Sequence, residues 1–391
     1  MNILHVAKGL AAAATLAAVS VASAATVDTQ RRDAHEWRRE GGVVYTMDNA
    51  AAGNSILVFA RDPAGRLHPL RGAATRTGGA GGGDNAPVDP LGSQNSLVYN
   101  PALNMLFAVN AGDNTVTAFD TGHAGVRLQR TDLESSGGHI PVSVAVSERM
   151  LYVLNAGGSG AVTTFAIDAR GRLERKAVLD LGLANPTAPP FDPTMTPGQV
   201  GVDALARRVI VANKAGQALL VAALDDAGVP AGPIAAIATP NPVPFAFGVT
   251  RFGAVLVAEA SGFVSALEPA AGTTLNVTAS VPTGQQATCW LVVHRKGFAY
   301  VSNTASNTIS VLRYTRTGAL ELLDDVAADT GGAPIDMTLA GKGRFLYALN
   351  GASGEIVGFA IDRRSGALER VEAQGGLPAS AGVQGLAARD F

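Results

Sequence analysis

Two acids stand at positions where comparable segments of this sequence carry asparagine. Short apolar segments that end before a small-residue turn close with Asp48, Glu259 or one of five asparagines: Asn110, Asn155, Asn213, Asn303 and Asn350. Asparagine before such a turn usually bonds nearby backbone, which predicts a structural role for the series. An acid near the mouth of a central channel can act as a general base, because burial raises its pKa into a useful range. It can also hold a cation. We therefore take Glu259 as a candidate base and Asp48 as a candidate ligand contact. The alternative is a pair of exposed loop carboxylates.

A histidine and two aromatic residues extend this candidate site. His139, in the segment GGHIPVSV, directly precedes a predicted strand and could assist Glu259, or it could be a solvated loop histidine. Phe245 and Trp290 could form an apolar wall around a ligand, or they could pack between neighbouring sheets. The sequence has no HxH or HExxH pair and no GxSxG motif. We predict no cofactor and no dedicated zinc site, while a divalent cation in a channel stays open.

The segments that must position these residues are copies of one repeat. Six of them align: LFAVNAGDNTVTAF (106–119), LYVLNAGGSGAVTTF (151–165), VIVANKAGQALLVA (209–222), VLVAEASGFVSAL (255–267), AYVSNTASNTISVL (299–312) and LYALNGASGEIVGF (346–359). A seventh, weaker copy is VYTMDNAAAGNSILVF (44–59). Successive strand ends lie 44 to 47 residues apart from Asn110 onward, except for 58 residues between Asn155 and Asn213. This period predicts an all-β, seven-bladed β-propeller of four-stranded antiparallel blades.

Each blade has an inner strand, two middle strands and an outer strand. Small apolar segments such as PVSVAVS (141–147) suit the inner position, and charged segments such as RGRLERKAVL (170–179) suit the outer edge. No window has the 3.6-residue apolar period of a helix, which excludes a TIM barrel.

The two ends of the repeat predict a closed ring. The first copy lacks an inner strand, and the last is followed by an extra one, AGVQGLAARDF (381–391). We expect this C-terminal strand to complete blade one, because closure removes an exposed sheet edge. An open solenoid, the alternative, would not leave matching gaps at the two termini.

Two insertions interrupt the period on the face of the channel mouth. Residues 72–94 join blades one and two, and residues 181–199 join blades three and four. The first is glycine-rich without a P-loop lysine, and we interpret it as a flexible surface linker. The second contains five prolines and Phe191, which favours a more ordered loop.

The N-terminus is typical of an export signal. Lys8 precedes an apolar run that ends at the small-residue site Ala22-Ser23-Ala24. We predict a signal peptide over 1–24, a charged linker over 25–41 and the propeller over 42–391. The mature protein is then periplasmic or secreted, with no membrane association after cleavage.

Composition restricts the partners. The formal net charge is −2 and no basic stripe is present, which argues against nucleic acid. Cys289 is the only cysteine, so an intrachain disulfide is impossible. We expect a monomer.

With the repeats aligned, the chain resembles the lactonase family of seven-bladed propellers, which includes 6-phosphogluconolactonase and carboxymuconate cyclase. The likeness rests on PFAFGVTRFGAVLVAEA (244–260), CWLVVHRKGFAYVSNTASNTISVL (289–312) and PIDMTLAGKGRFLYALNG (334–351). It implies a lactone hydrolase or a related cycloisomerase acting on a small, sugar-derived or other lactone in carbohydrate metabolism.

The family's site residues transfer only in part. The family's catalytic acid matches Glu259, and its histidine at the start of the fourth inner strand falls at or near Gln199, a candidate ligand contact. The Pro-Arg-His motif reads Pro244-Phe245-Ala246 here. Without the arginine, a phosphorylated substrate is disfavoured. The blade segments also resemble the YVTN-type repeats of surface-layer proteins, so a non-catalytic ligand- or protein-binding propeller is the second hypothesis.

Overall fold

The computed structural model describes residues 41–70 and 72–391, and this part of the chain is built of β-strands. The predicted signal peptide and nearly all of the charged linker lie outside the described residues. The strands of blade one are β29 (Gln384–Asp390), β1 (Gly42–Met47), β2 (Ser55–Arg61) and an outer strand in two pieces, β3 (Leu67–Pro69) and β4 (Thr75–Arg76).

The other six blades follow in chain order, each with its inner strand first. Blade two contains β5 (Leu97–Asn100), β6 (Met105–Asn110), β7 (Thr115–Asp120) and β8 (Gln129–Ser135). Blade three contains β9 (His139–Ser147), β10 (Met150–Gly157), β11 (Ala161–Ile167) and β12 (Leu173–Asp180). Blade four contains β13 (Gln199–Asp203), β14 (Arg208–Asn213), β15 (Ala218–Leu224) and β16 (Pro230–Ala238).

Blades five to seven repeat this order. Blade five contains β17 (Pro244–Val249), β18 (Val255–Glu259), β19 (Phe263–Pro269) and β20 (Leu275–Pro282). Blade six contains β21 (Thr288–His294), β22 (Phe298–Asn303), β23 (Thr308–Tyr314) and β24 (Leu320–Asp329). Blade seven contains β25 (Pro334–Ala340), β26 (Phe345–Asn350), β27 (Glu355–Ile361) and β28 (Leu368–Gln374). The predicted seven-bladed propeller is confirmed.

The C-terminal strand closes the ring. β29 pairs antiparallel with β1, and Gly42 lies opposite Asp390. The Thr46 hydroxyl also donates to the Gly385 carbonyl at 2.7 Å, although the two residues are 339 positions apart. The predicted completion of blade one by the last strand is therefore confirmed.

The core lies between the blades, where the middle strands bury both faces. Every residue of the middle strand β6 is buried, for example, whereas most residues of the outer strand β12 are exposed or half-buried.

Four tyrosines link one blade to a glycine carbonyl in the outer hairpin of the next: Tyr45 to Gly125 (2.6 Å), Tyr152 to Gly228 (2.6 Å), Tyr300 to Gly366 (3.0 Å) and Tyr347 to Gly65 (2.5 Å). These links satisfy phenol groups that are otherwise packed between blades.

Candidate functional site

Residues 72–94, the first loop, pass over the axis of the ring. The loop is hydrogen-bonded to blades one, two, three, four and six, through Gly82 to Asn49, Ala80 to Gly112, Ser93 to Val142, Gly92 to Lys214 and Ser93 to Trp290. Only a segment near the axis can reach blades on opposite sides of a ring. Leu91 and Ser93 are fully buried. The interpretation of this loop as a flexible surface linker is therefore wrong, because it forms the cap of the central channel.

Residues 181–199, the second loop, pack against the first. Asn85 of the first loop donates from Nδ2 to the Phe191 carbonyl at 3.1 Å and accepts the Phe191 N–H at 2.9 Å. The Phe191 side chain is 8% exposed, while most of its neighbours from residue 184 to 195 are open to solvent. The expectation of an ordered second loop thus agrees with the structure.

The last residue of each loop is a glutamine that lies at or near the start of an inner strand. The Gln94 amide exchanges hydrogen bonds with the backbone of Leu291, at 2.9 and 2.8 Å, which places it across the channel from blade two to blade six. The Gln199 amide does the same with Phe247, at 3.0 and 2.6 Å. Beyond them the channel holds a cavity of about 540 Å³ along the inner strands. These glutamines, the last residues of the two loops, line one end of this cavity.

Five residues gather between the loops and the inner strands, and we call them the head cluster: Asp89, Lys214, Phe245, Cys289 and Trp290. The Lys214 ammonium lies 4.5 Å from the centre of the Phe245 ring, and the Phe245 and Trp290 rings are 4.6 Å apart. Trp290 donates from Nε1 to the Ser93 carbonyl at 2.9 Å. The cluster thus combines an acid, an amine and an apolar wall.

The charges of Asp89 and Lys214 influence each other. Desolvation raises the pKa of Asp89 to about 6, opposed by the Lys214 charge and the Gly92 N–H. Burial lowers the pKa of Lys214 to about 8, opposed mainly by the Asp89 charge. Asp89 retains some exposed surface, whereas Lys214 is 1% exposed. Asp89 is therefore the ionisable residue of the cluster with the most exposed surface. Cys289 is buried in the same cluster, and desolvation raises the pKa of its thiol.

Asp336 on the inner strand β25 is a second acid near the cluster. Its carboxylate accepts the N–H groups of Met337 at 2.8 Å and Leu386 at 2.9 Å. Burial raises the pKa of Asp336 well above its usual value, and the Asp89 charge raises it further. This carboxyl joins blade seven to the closing strand.

Glu259, the predicted base, lies inside blade five and is fully buried. Its Oε1 accepts the Asn241 N–H at 3.0 Å, and its Oε2 accepts Asn241 Nδ2 at 2.8 Å and the Ser265 hydroxyl at 2.7 Å. Burial raises the pKa of Glu259, and these hydrogen bonds oppose the rise. These partners come from β19 of its own blade and from the segment that connects β16 to β17.

The asparagine series occupies the equivalent position in five of the other blades. Asn110 donates to the Thr117 hydroxyl at 2.9 Å, and Asn303 donates to the Ser310 hydroxyl at 2.8 Å. Asn155 bonds both the Thr163 hydroxyl and a backbone carbonyl. These side chains bond the neighbouring strand or the segment that leads into the blade, which supports the predicted structural role.

The other predicted site residues divide between the channel head and the blades. Gln199, Phe245 and Trp290 come together at the channel head, where they are buried. His139 is exposed at the start of β9. Asp48 accepts the N–H groups of Ala50 and Ser55 at 3.2 and 2.8 Å in the turn of blade one. The structure therefore does not join Glu259, His139 and Asp48 into one constellation.

Sequence reasoning missed Asp89, Lys214 and Asp336. Lys214 could have been noticed in the sequence, because five of the six other copies of the repeat have a small residue after the strand-end residue: Ala111, Ala156, Ala260, Thr304 and Gly351. Asp336 carried a similar signal as the acid of an inner strand whose counterparts include Ser143 and Ala246. Asp89 belongs to a loop outside the repeat and had none.

Among residues 41–70 and 72–391, no three or more His, Cys, Asp or Glu side chains are arranged to hold a metal ion. Within the same residues, no helix is long and apolar enough to cross a bilayer.

Comparison with known proteins gives a family and a fold. The model of a family described as "Lactonase, 7-bladed beta-propeller" matches residues 84–384, more than three quarters of the chain. The structure is similar to a periplasmic gluconolactonase of Pseudomonas aeruginosa, with a TM-score of 0.68, 19% identity and coverage of 87% of this chain and 97% of that one. A protein from Lactobacillus plantarum gives a TM-score of 0.68 and 18% identity, covering 90% of this chain and 99% of that one.

A third solved structure is a candidate 6-phosphogluconolactonase of Bacteroides fragilis, with a TM-score of 0.69, 15% identity and coverage of 90% and 98%. At these identities the likeness to solved structures supports the fold alone. No curated protein sequence matches the chain.

Proposed function

Because the chain belongs to the family of seven-bladed lactonase propellers, we propose that it hydrolyses a small lactone and that the head cluster is its active site. The observation that carries this proposal is the burial of Lys214 at the head of the channel, where its charge and that of Asp89 are close enough to affect each other's pKa. Ionisable groups whose pKa values are perturbed by burial and by a specific charged neighbour are typical of catalytic sites. Family membership alone would not locate a site, because propellers support many functions.

The two charged groups supply what lactone opening requires. Asp89, with a pKa of about 6, is largely ionised at neutral pH and still basic enough to take a proton from water. The water oxygen then bonds to the lactone carbonyl carbon, and the Lys214 ammonium stabilises the negative charge on the carbonyl oxygen. When the ring C–O bond breaks, the leaving oxygen takes the proton from Asp89, and the product is a hydroxy acid.

The surroundings favour a neutral or weakly anionic lactone. Lys214 is the only cation of the head cluster, and Phe245 stands where the family motif has arginine. Phe245 and Trp290 offer flat apolar surfaces to a ring. A sugar-derived lactone without phosphate fits these groups. The Pseudomonas aeruginosa neighbour is named a gluconolactonase, which makes gluconolactone the first compound to test.

Export is part of the same proposal. The segment Ala22-Ser23-Ala24 supports cleavage that would leave Ala25 at the mature N-terminus of a periplasmic or secreted enzyme. N-terminal sequencing of protein from the periplasm or medium tests it, and an intact Met1 in that material would contradict it.

The activity is tested with the purified mature protein and a panel of lactones, followed by proton release. Asp89→Asn should lower kcat by about 10²–10⁴, as expected for loss of a general base. Lys214→Met should lower it by about 10²–10³, as for loss of an oxyanion donor. Asp84→Asn is the matched control, because Asp84 is an exposed acid in the same loop.

Glu259→Gln separates the two candidate bases. If Asp89→Asn retains full activity while Glu259→Gln loses it, the base lies in blade five and the head cluster is not the active site. If both lose activity, the effect of Glu259→Gln on the melting temperature distinguishes a chemical role from a structural one.

A non-catalytic binding propeller is the second candidate. One observation favours it: the Lys214 ammonium already donates hydrogen bonds to backbone carbonyls of both loops. A parent protein that opens no lactone of the panel, yet is stabilised by one of them against heat, would support this alternative.

A further inference from the structure

The hydrogen bonds of Lys214 are occupied by the two loops. Its ammonium donates to the Gly92 carbonyl of the first loop at 2.5 Å and to the Pro193 carbonyl of the second loop. One side chain from blade four thereby holds both loops. An ammonium group has three N–H donors, so these carbonyls take most of its capacity.

The loops are also bound directly to each other. The Asn85 amide exchanges two hydrogen bonds with the backbone of Phe191. A Cβ atom added to Gly92 would lie 2.2 Å from the Pro193 carbonyl oxygen, which shows how closely the two backbones approach. The loops therefore form one surface over the head cluster.

Lys214 is closed off on the opposite side as well. The Gln94 and Gln199 amides lie between the head cluster and the channel cavity, and each is bonded at both ends of its amide group. With 1% of Lys214 exposed, a ligand cannot approach its ammonium from either side without movement.

The second loop is the more easily displaced element. From residue 184 to 195 most residues are solvent-exposed, and Phe191 is the one buried anchor of that stretch. Segments with few buried contacts open locally at a small free-energy cost. Residues 181–186 of the second loop are bonded to blade three, so the displaceable stretch begins at residue 187. In the first loop, residues 79–83 are bonded to blade one.

We propose that the two loops form a lid over the head cluster and that Lys214 is its latch, held closed by carbonyl groups that occupy the place of the substrate carbonyl oxygen. The identity of the ligand that enters rests on the proposed function, but the opening of the lid does not depend on it. Parting of the loops removes the Gly92 and Pro193 carbonyls from the ammonium. The freed N–H groups can then bind a lactone carbonyl oxygen, so that the closed lid is an autoinhibited state.

Cys289 reports on the lid without any substrate. It is the only cysteine of the chain, is 5% exposed and lies within reach of the Lys214 and Asp89 charges. The rate at which an aromatic disulfide reagent labels this thiol in the native protein measures opening of the cover. In Lys214→Met and in Asn85→Ala we expect labelling at least tenfold faster than in the parent.

In Lys214→Met, the effect of the lost charge on the Cys289 thiol should by itself slow labelling. The Lys214 charge lowers the pKa of Cys289, so its removal leaves less reactive thiolate. Faster labelling of Lys214→Met therefore reports access. Tyr300→Phe is the control for general destabilisation, because its hydroxyl bonds Gly366 in an outer hairpin away from the loops.

The outcomes separate the two proposals. Faster labelling in Asn85→Ala with an unchanged rate in Tyr300→Phe supports the lid, whether or not any lactone is hydrolysed. If Asn85→Ala and any folded Lys214→Met label no faster than the parent, or if Tyr300→Phe matches them, the loops are a fixed cap and the latch is refuted.

Discussion

Replacing Asp390 by alanine should destabilise the seam where the ring closes. Asp390, near the end of the closing strand, accepts Arg61 Nη2 at 2.9 Å and the N–H groups of Gly341 and Lys342 at 2.7 Å each. It thus joins the closing strand to blade seven and to β2 of blade one. Arg61 is 1% exposed and the Asp390 side chain is 27% exposed.

The expected loss follows from these burials. Removing one partner of a buried ion pair costs about 3–5 kcal/mol, because the other charge stays buried without compensation. Water can reach Asp390 and replace part of the lost interaction, and the Gly41 carbonyl still accepts from Arg61. We therefore expect the free energy of unfolding to fall by about 2–3 kcal/mol.

Urea unfolding followed by circular dichroism measures this loss. Asp226→Ala is the control, because Asp226 forms an ion pair with Arg207 at 3.3 Å on the surface of blade four. Its removal should leave the urea midpoint unchanged within error. If Asp390→Ala behaves like this control, the carboxylate does not hold the seam, and the assignment of its free energy to the buried Arg61 pair is refuted.

Two further predictions concern pH and the links between blades. The rate of lactone opening should rise as pH passes about 6, where Asp89 loses its proton, and fall above about 8, where Lys214 loses its own. A pH–rate profile checks this, and an acid limb that persists in Asp89→Asn would contradict it. Tyr347→Phe removes the bond to the Gly65 carbonyl and should lower the free energy of unfolding by about 1 kcal/mol in urea titration. An unchanged value would mean that water replaces the phenol.

The repeat made the fold predictable, because each copy carries the same strands and turn. The C-terminal segment 381–391 could be assigned to blade one, since it matches an inner strand and only that blade lacked one. Composition misled in the first loop. Its glycines are typical of a flexible linker, yet a Cβ at Gly81 would lie 2.2 Å from the Asn49 backbone. Glycine is needed there for close packing.

The candidate site was predictable only where it coincides with the repeat. Gln199, Phe245 and Trp290 occupy fixed positions at the starts of inner strands, and they do meet at the channel head. Asp89 and Lys214 come together because a loop outside the repeat crosses the axis, and no pattern in the sequence encodes that path. Glu259 takes the place of asparagine in the repeat and has the corresponding hydroxyl partner, Ser265.

The seam also fixes the order in which the molecule can be completed. Because Gly42 pairs with Asp390, the first blade lacks its innermost strand until the last residues have been synthesised. A nascent chain can assemble the blades from two onward while blade one keeps an unpaired edge on β1. Such an edge can pair with a strand of another chain. The period between synthesis of blade one and release of the C-terminus is therefore when intermolecular strand exchange is most favoured, and slow translation of the final segment would lengthen it.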